Sequence, residues 1–449
     1  MKFMEILEEN LQVVKKYTDP KNYILTPRAF SMNPRWSFND HLLFLLTNKG
    51  KSLTLEIENF VEKYFDDDED KLITKQDLSK QRQKFSANVF KDMNNKFIKD
   101  FYRSEEYGGL FKGRIVVIID GSKSEIPNTP ETKEWANIKE NSLTNRKAAR
   151  TLFSTIIDAK YGIVLDSILG KSNSSERELA KQHIKNIKNL VNYKDLILIF
   201  DAGYYSLELK LFLEKMGINY IFRLAPNVYE KEISQMTSMD EVLQISNTSS
   251  RRKAIKDEHL LEAAKKLPYI KSRIVKIPIV NPKEETEDMI LLTNLSSKVA
   301  NTFEIGGLYS NRWEIEVNYD RLKNKMELEN YSGKLENTIS QDFYSTIYVF
   351  NLAMILRNNI QKHLERKNKK KRDEENKEYR TNCNTLIGRV KNRILDLFTS
   401  SKDKNKKILE RIIKRGTKDT YLHDFNRPKI QWHDKLFIGK FRFNQRRNI

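Results

Sequence analysis

Residues 114–120 read RIVVIID, a short run of mostly β-branched apolar residues that ends in an acidic one. Such a run predicts a buried strand, because it is too short for a helix and is followed by turn-forming residues. The same pattern returns at 196–201, which reads LILIFD. We expect both strands to lie in one sheet and to deliver Asp120 and Asp201 at their ends.

The segments around these two strands alternate between strand-like and helix-like patterns. Residues 149–169 indicate a hairpin, 174–190 and 206–216 indicate helices, and 219–224 indicate a further strand. This order predicts an α/β fold, with a mixed sheet that carries helices on its faces. Residues 225–292 interrupt the alternation with polar and basic stretches and further β-type runs.

The predicted organisation has helical regions on both sides of the sheet. It comprises a helical N-terminal DNA-binding region at 1–107, an α/β core at 108–224 and 293–338, an inserted β-rich subdomain at 225–292, and a helical C-terminal region for DNA binding or dimerisation at 339–449. In the last region we predict a long helix over 339–364, helices at 384–398 and 403–415, a charge run at 365–380 and a basic tail at 440–448.

The N-terminal region contains a basic segment at 74–102 that carries Ser and Gln near its start. Short helices followed by such a segment are typical of a helix-turn-helix reader of DNA, and Lys80 and Arg82 are its candidate DNA contacts. A plain helical bundle with a solvated basic face explains the pattern equally well.

The composition favours a polyanionic partner. The 449 residues include 81 Lys and Arg against 61 Asp and Glu, for a net charge of +20. That surplus favours nucleic acid or an anionic membrane surface, and a coding bias towards Lys is the alternative. One cysteine excludes an internal disulfide, and six histidines without ligand spacing leave carboxylates to hold any metal. Neither a signal peptide nor a membrane-spanning run is present, so we expect a soluble cytoplasmic protein.

Residues 309–323 read YSNRWEIEVNYDRLK and have the periodicity of a helix. On one helix, Tyr309, Arg312, Glu316 and Lys323 lie within about 60° of one another around the axis. A carboxylate flanked by these groups suits a metal ligand whose neighbours hold phosphates. Alone, the pattern also fits a solvated i,i+4 ion pair on a surface helix.

Together, Asp120, Asp201 and Glu316 match the requirement of phosphodiester chemistry for about three carboxylates around two Mg²⁺ ions. Mg²⁺ prefers oxygen ligands, so histidine is dispensable. The alternative for each aspartate is a turn after a strand, where Asp-Gly sequences are common.

The spacing Y-x2-R-x3-E-x6-K on the 309–323 segment agrees with the YREK signature of one branch of bacterial insertion-sequence transposases. These are DDE enzymes with an RNase H-like catalytic core. The motifs IDGS at 119–122 and FDAGYYS at 200–206 resemble the first and second Asp motifs of the family, and LSKQRQKF at 78–85 resembles its N-terminal segment.

The resemblance implies a cut-and-paste transposase acting on double-stranded DNA. It implies that Asp120, Asp201 and Glu316 are catalytic and bind two Mg²⁺ ions, which Mn²⁺ can replace, and that Tyr309, Arg312 and Lys323 contact DNA phosphates. It further implies terminal inverted repeats and target DNA as partners, a homodimer in the DNA complex, action at the nucleoid in the bacterial cytoplasm, and neither a membrane nor a small-molecule substrate.

Two departures from the family pattern bear on the reaction intermediate. Ala202 stands where relatives often carry Arg, and the 225–292 insertion lacks the Trp that stacks on a flipped base in several relatives. Met289, Tyr229 or Tyr269 would have to replace it, although core positions explain all three. A hairpin intermediate therefore stays open. The rival functions are an RNase H-like nuclease that does not transpose and a catalytically degenerate DNA-binding protein.

Overall fold

The computed structural model describes residues 1–16, 20–31, 34–48, 50, 52–138, 149–280, 286–369, 374–375 and 377–424. The predicted basic tail at 440–448 lies outside these residues. The strands are β1 Ile115–Ile126, β2 Ala149–Asp158, β3 Val164–Leu169, β4 Leu196–Phe200, β5 Asn219–Arg223, β6 Asp240–Ser246, β7 Tyr269–Val280, β8 Thr286–Thr293, β9 Lys377–Thr381 and β10 Thr420–Asp424.

The helices fall into three groups along the chain. Those before the sheet are α1 Phe3–Leu11, α2 Phe38–Thr47, α3 Leu53–Tyr64, α4 Lys75–Arg82 and α5 Asn88–Tyr102. Those among the strands are α6 Pro130–Trp135, α7 Glu176–Asn186, α8 Leu207–Lys215, α9 Glu230–Ser234, α10 Ser249–Arg252, α11 Glu258–Lys265, α12 Thr302–Ser310 and α13 Trp313–Asp320. The last group is α14 Glu336–Lys367, α15 Cys383–Thr399 and α16 Lys402–Gly416. Among the residues that the structure describes, every helix is too short or too polar to span a lipid bilayer.

One mixed sheet has the strand order β3-β2-β1-β4-β5-β8-β7-β6. Strands β1, β2 and β3 pair antiparallel, and β4 and β5 run parallel to β1. The β4 residues are all buried, as expected for parallel strands covered on both faces. This arrangement confirms the predicted α/β fold class, a mixed sheet flanked by helices.

The segment 225–292 extends the central sheet. Its strand β8 pairs antiparallel with β5, and β7 and β6 follow outwards. Along the chain, α9 precedes β6, and α10 and α11 lie between β6 and β7. Pairing with β8 satisfies the outer backbone groups of β5, which would otherwise form an open edge. The strands of the predicted subdomain therefore continue the core sheet, and β8 crosses the expected boundary at 292/293. The division into domains stays a prediction.

Helix α14 is the central element of the core and matches the long helix predicted over 339–364. It packs against α1, α2 and α5, against β3, and against α15 and α16. The buried side chain of Asn351 on α14 accepts from the backbone N–H of Val164 and donates to its carbonyl, both at 2.8 Å, and it also donates to Asn94 on α5. One hydrophobic cluster consequently runs from Phe3 to Ile412.

The predicted continuous helix over 309–323 is wrong. The chain forms α12, two turn residues, α13 and a short π-helix, Arg321–Lys325. At the break the backbone makes i→i−3 bonds, including Arg312 N–H to the Tyr309 carbonyl at 2.9 Å. The side chain of Asn311 donates to the carbonyls of Gly307 and Leu308, which competes with the regular helical bonds.

The C-terminal region differs from the prediction at the charge run. Helices α15 and α16 match the predictions at 384–398 and 403–415. Within 365–380, however, the described residues include the end of α14 and the start of β9, which pairs antiparallel with β10. This pairing joins two segments about forty residues apart, which local sequence patterns do not reveal.

Candidate active site

Asp120 and Asp201 lie side by side, beyond the point where the parallel pairing of β1 and β4 stops. Ile118 is paired with Ile199, and each aspartate lies two residues beyond its paired isoleucine. Because neighbouring strands run about 4.8 Å apart, equal positions become neighbours. Asp201 follows β4 as predicted. Asp120 lies inside β1, because this strand continues to Ile126 in its pairing with β2.

Arg312 joins Asp201 to Glu316, the third predicted carboxylate. Its Nη2 atom lies 2.7 Å from Glu316 Oε1, and its Nη1 atom lies 3.8 Å from Asp201 Oδ2. The hydroxyl of Tyr309 donates to Asp201 Oδ1 at 3.4 Å. The structure therefore brings Tyr309, Arg312 and Glu316 together around Asp201, although they do not share one continuous helix.

The site concentrates negative charge around a buried carboxyl group. Burial raises the pKa of Asp120 to about 7, and the charges of Glu176 and Asp201 act in the same direction. The Gly121 N–H, which donates to Asp120 Oδ1 at 2.9 Å, and the Arg312 guanidinium oppose the shift. For Arg312, burial lowers the pKa, but the carboxylates of the site outweigh this effect and raise it.

Glu176 is a site residue that the sequence analysis did not identify. It is the first residue of α7, and a Cβ atom added at Gly121 would lie 2.6 Å from its Oε1 atom. The glycine of the IDGS motif therefore leaves room for this carboxylate beside Asp120. The sequence showed Glu176 only as an acidic residue in the first turn of a helix, which is a common feature of surface helices.

Tyr204 was also missed. Its side chain is 2% exposed, and its hydroxyl has no hydrogen-bond partner among the described residues. Burial raises the pKa of Tyr204, and the charges of Asp120 and Glu176 raise it further. The buried hydroxyl thus lies in the field of the carboxylates.

The residues present suit a hard cation by their chemistry. Asp120, Asp201 and Glu316 supply carboxylate oxygens, the ligands that Mg²⁺ prefers. Within the described ranges, however, no three His, Cys, Asp or Glu side chains lie close enough to hold a metal ion in this conformation. The guanidinium of Arg312, which contacts both Asp201 and Glu316, keeps these two carboxylates neutralised by a protein cation instead.

The side chain of Lys323 contacts β1 at a point beyond Asp120. Its Nζ atom donates to the Lys123 carbonyl, lies 3.7 Å from Glu329 Oε1, and is 5.4 Å from the centre of the Phe153 ring. Burial lowers its pKa, against the opposing charge of Glu329. The ammonium group of Lys323 is thus held against β1 at Lys123, three residues beyond Asp120.

The candidate DNA contacts in α4 differ in their surroundings. Lys80 is exposed, whereas Arg82 is 1% exposed and faces α14. Arg82 donates to Gln341 Oε1 at 2.9 Å and contacts Asp342 Oδ1 at 2.9 Å. The guanidinium of Arg82 is thus bonded inside the protein in this structure, and its role as a DNA contact stays a prediction. The choice between a helix-turn-helix and a plain bundle stays open.

The candidate stacking residues of the insertion also differ. Tyr229 is buried, and its hydroxyl bonds that of Tyr205. Met289 is partly buried and paired with Ile277 in the sheet. Tyr269 at the start of β7 is 51% exposed, so it is the most exposed of the three candidates.

The fold and the site describe a protein with a mixed sheet flanked by helices and with two aspartates just beyond the parallel pairing of its central strands β1 and β4. A family model described as the transposase DDE domain matches residues 111–352, more than half of the chain. The chain therefore belongs to the DDE transposase family. Members of this family generally use divalent metal ions and act on DNA.

Two similar proteins extend this comparison. The chain is 21% identical over 257 residues to "Transposase InsG for insertion sequence element IS4" of Escherichia coli (strain K12), which covers 56% of this chain and 54% of the relative. The match thus spans about half the length of that relative. A cryo-EM structure of the piggyBac transposase synaptic complex with hairpin DNA is 11% identical, with a TM-score of 0.39, over 93% of this chain and 82% of that one.

Proposed function

We propose that this protein is a DDE transposase of the YREK branch that cuts DNA at the ends of an insertion sequence and joins them to target DNA. The observation that carries the proposal is the arrangement of three carboxylates. Asp120 and Asp201 each lie two residues beyond the last paired isoleucine of the parallel strands β1 and β4, and Arg312 links Asp201 to Glu316. Membership of the DDE transposase family supports the same activity.

The carboxylates would hold two Mg²⁺ ions, or Mn²⁺ in their place, and such ions activate a water molecule and stabilise the leaving oxygen. In the first step, the water oxygen bonds to phosphorus as the bond to the 3′ oxygen of the element breaks, which leaves a 3′-OH. In the second, this hydroxyl attacks a phosphorus of another strand and displaces its 3′ oxygen. Attack on the opposite strand gives a hairpin, and attack on target DNA gives strand transfer.

The side chains around the carboxylates suit the binding of DNA phosphates. Arg312 offers a planar fork of donors, Tyr309 an uncharged donor, and Lys323 a point charge farther along β1. For Arg312 this role requires that its guanidinium turn from Glu316 towards a phosphate. Exchange of one anionic partner for another is chemically favourable when metal ions take over the carboxylates.

The partners we propose are the terminal inverted repeats and target DNA, bound by two copies of the chain. The surplus of 81 basic over 61 acidic residues supports a DNA partner. Two ends must be held together for joining, which favours a homodimer on DNA. With DNA as its substrate, the protein would act at the nucleoid in the bacterial cytoplasm.

The test uses purified full-length protein and a duplex that carries the DNA flanking its reading frame, with Mg²⁺ or Mn²⁺. We expect metal-dependent nicking at a defined end. Glu316→Gln should abolish nicking, a loss of at least about a thousandfold, because it removes one charge of the metal site and keeps the shape. Binding to the same duplex should persist in the variant.

Glu314→Gln is the matched control. Glu314 lies on the same helix, two residues earlier, and lines a different cavity of about 470 Å³ with Arg321 and Arg357. The Glu314→Gln variant should cleave the duplex like the wild type. Binding without cleavage by the wild type would favour a degenerate DNA-binding protein, nicking without joining would favour a nuclease, and equal cleavage by Glu316→Gln would contradict the assigned site.

A further inference from the structure

The backbone carbonyl of Asp120 receives hydrogen bonds from two buried side chains. The hydroxyl of Tyr319 donates to it at 2.5 Å, and the hydroxyl of Ser154 donates to it at 3.0 Å. A carbonyl held by two donors from different elements has little freedom to rotate. The position of the first carboxylate of the site is thus set from outside its own strand.

Tyr319 belongs to the same helix as the third carboxylate. It lies on α13, three residues after Glu316, which is slightly less than one helical turn. Its hydroxyl therefore forms a direct link between the helix that carries Glu316 and the strand that carries Asp120. The YREK spacing does not include this residue.

The surroundings of Tyr319 hold it in place. Its ring packs edge-on against Phe153 of β2, with the ring centres 5.2 Å apart, and only 8% of the residue is exposed. The hydroxyl of Thr155 donates to the Tyr319 hydroxyl at 3.2 Å, and Thr155 is the cross-strand partner of Asp120. The phenol is therefore fixed by one donor and one acceptor, as well as by its ring contact.

The second donor, Ser154, is held by a similar chain of contacts. Its Oγ atom lies 3.0 Å from His183 Nε2, and His183 Nδ1 lies 2.8 Å from Asp166 Oδ2. Asn186 donates to the same Asp166 oxygen at 2.8 Å. Ser154 and His183 are fully buried, so these contacts fix the position of the Ser154 hydroxyl inside the protein.

We propose that Tyr319 is a positioning residue, which sets the distance between Asp120 and Glu316 so that both carboxylates reach the same metal ions. The inference rests on the proposed function and deepens it. The hydroxyl of Tyr319 is already used by the Asp120 carbonyl and by Thr155, so we expect it to contact neither substrate nor metal. Loss of the hydroxyl should therefore weaken the binding of metal ions by Asp120 and Glu316 together and leave DNA binding intact.

The test is Tyr319→Phe in the full-length protein, assayed on the end-bearing duplex over a range of Mg²⁺ concentrations. We expect the cleavage rate to fall by about 10- to 100-fold, since small displacements of catalytic groups have effects of this size. The Mg²⁺ concentration for half-maximal cleavage should rise several-fold, and Mn²⁺ should recover part of the rate. Affinity for the duplex should stay within about twofold.

Tyr331→Phe provides a closely matched control. Tyr331 is also 8% exposed, and its hydroxyl also contacts β1, at Ser124 Oγ with a distance of 3.1 Å. It should leave the rate and the Mg²⁺ dependence unchanged. If Tyr319→Phe and Tyr331→Phe behave alike, with equal rates and equal Mg²⁺ dependence, the inference is overturned.

Two further measurements keep the outcome decisive. If Tyr319→Phe does not fold, Thr155→Val takes its place, because it removes the donor that orients the phenol, and it should show the same rise in Mg²⁺ requirement to a smaller extent. An unchanged Mg²⁺ requirement in that variant would also overturn the inference. Failure of the wild type to cleave would instead reject the proposed function, and calorimetric titration of Mn²⁺ into wild type and variants would still compare their metal sites.

Discussion

Arg312 is the residue on which two proposed states of the site depend. In the structure its guanidinium contacts Asp201 and Glu316 through different nitrogens. In the proposed complex with DNA it would hold a phosphate instead. A planar fork can serve both arrangements, because its donors point to two acceptors at once, whereas an ammonium group acts as a single point charge.

This argument predicts the effect of Arg312→Lys, which keeps the charge and removes the fork. Single-turnover cleavage of the end-bearing duplex should fall by about 10- to 100-fold, because two-point contact is lost at a site where geometry matters. Arg393→Lys is the control, since Arg393 forms an exposed pair with Asp396 on α15. Wild-type cleavage by Arg312→Lys would mean that only the charge of this residue is used.

The residues of the site differ in how clearly the sequence reveals them. Asp120 and Asp201 were predicted because a carboxylate after an apolar β-branched run stands out locally, and the structure places them side by side. Glu176 and Tyr319 were missed because each lies on an ordinary helix. Their contacts with Gly121 and with the Asp120 carbonyl arise from packing between distant segments. The metal-binding and DNA-binding roles of the site residues stay predictions.

Helix α4 is attached to α14 by a buried arginine. Arg82 contacts Asp342 and also donates to Gln341, Ser332 and the Thr338 carbonyl. These partners surround the guanidinium inside the protein, so its removal would leave the carboxylate of Asp342 buried without its cation. An unpaired buried charge is among the most destabilising defects in a protein.

We therefore expect Arg82→Ala to destabilise the protein by about 3–5 kcal/mol, measured as a lower midpoint of urea unfolding. Lys80→Ala, two residues earlier on the exposed side of α4, should change stability by less than about 0.5 kcal/mol. A variant Arg82→Ala that unfolds like the wild type but binds DNA more weakly would contradict this structural role and support Arg82 as a DNA contact.

Long helices were predictable from the sequence, whereas the interruptions between helices were not. The apolar periodicity of α14 extends over many turns and leaves little choice of conformation. The break between α12 and α13 depends on hydrogen bonds from the Asn311 side chain to two backbone carbonyls, which periodicity does not encode. Likewise, the pairing of β8 with β5 joins segments separated by some sixty residues.

The whole molecule carries a net charge of +20, which has a measurable consequence for DNA binding. Release of counterions makes the affinity fall steeply with salt, by about a thousandfold or more between about 50 and 200 mM when at least six phosphates are contacted. Titration of a labelled end duplex at several salt concentrations measures the slope.

Lys80→Ala tests whether Lys80 makes one of the phosphate contacts that determine the salt dependence of the affinity. If Lys80 binds a phosphate, the magnitude of the slope of log affinity against log salt should decrease by about one. An unchanged slope would remove Lys80 from the DNA contacts. An affinity that does not respond to salt in the wild type would contradict a binding mode based on phosphates.

The shared core also affects how the protein is made. Helix α14, which completes the packing of α1, α2 and α5, ends only at Lys367. While the chain emerges from the ribosome, the apolar faces of the first helices therefore stay exposed until α14 has been synthesised. Exposed apolar surface of this kind promotes aggregation and recruits chaperones. Shortened forms that stop before α14 should accumulate as inclusion bodies, so the N-terminal helices are best studied in the intact chain.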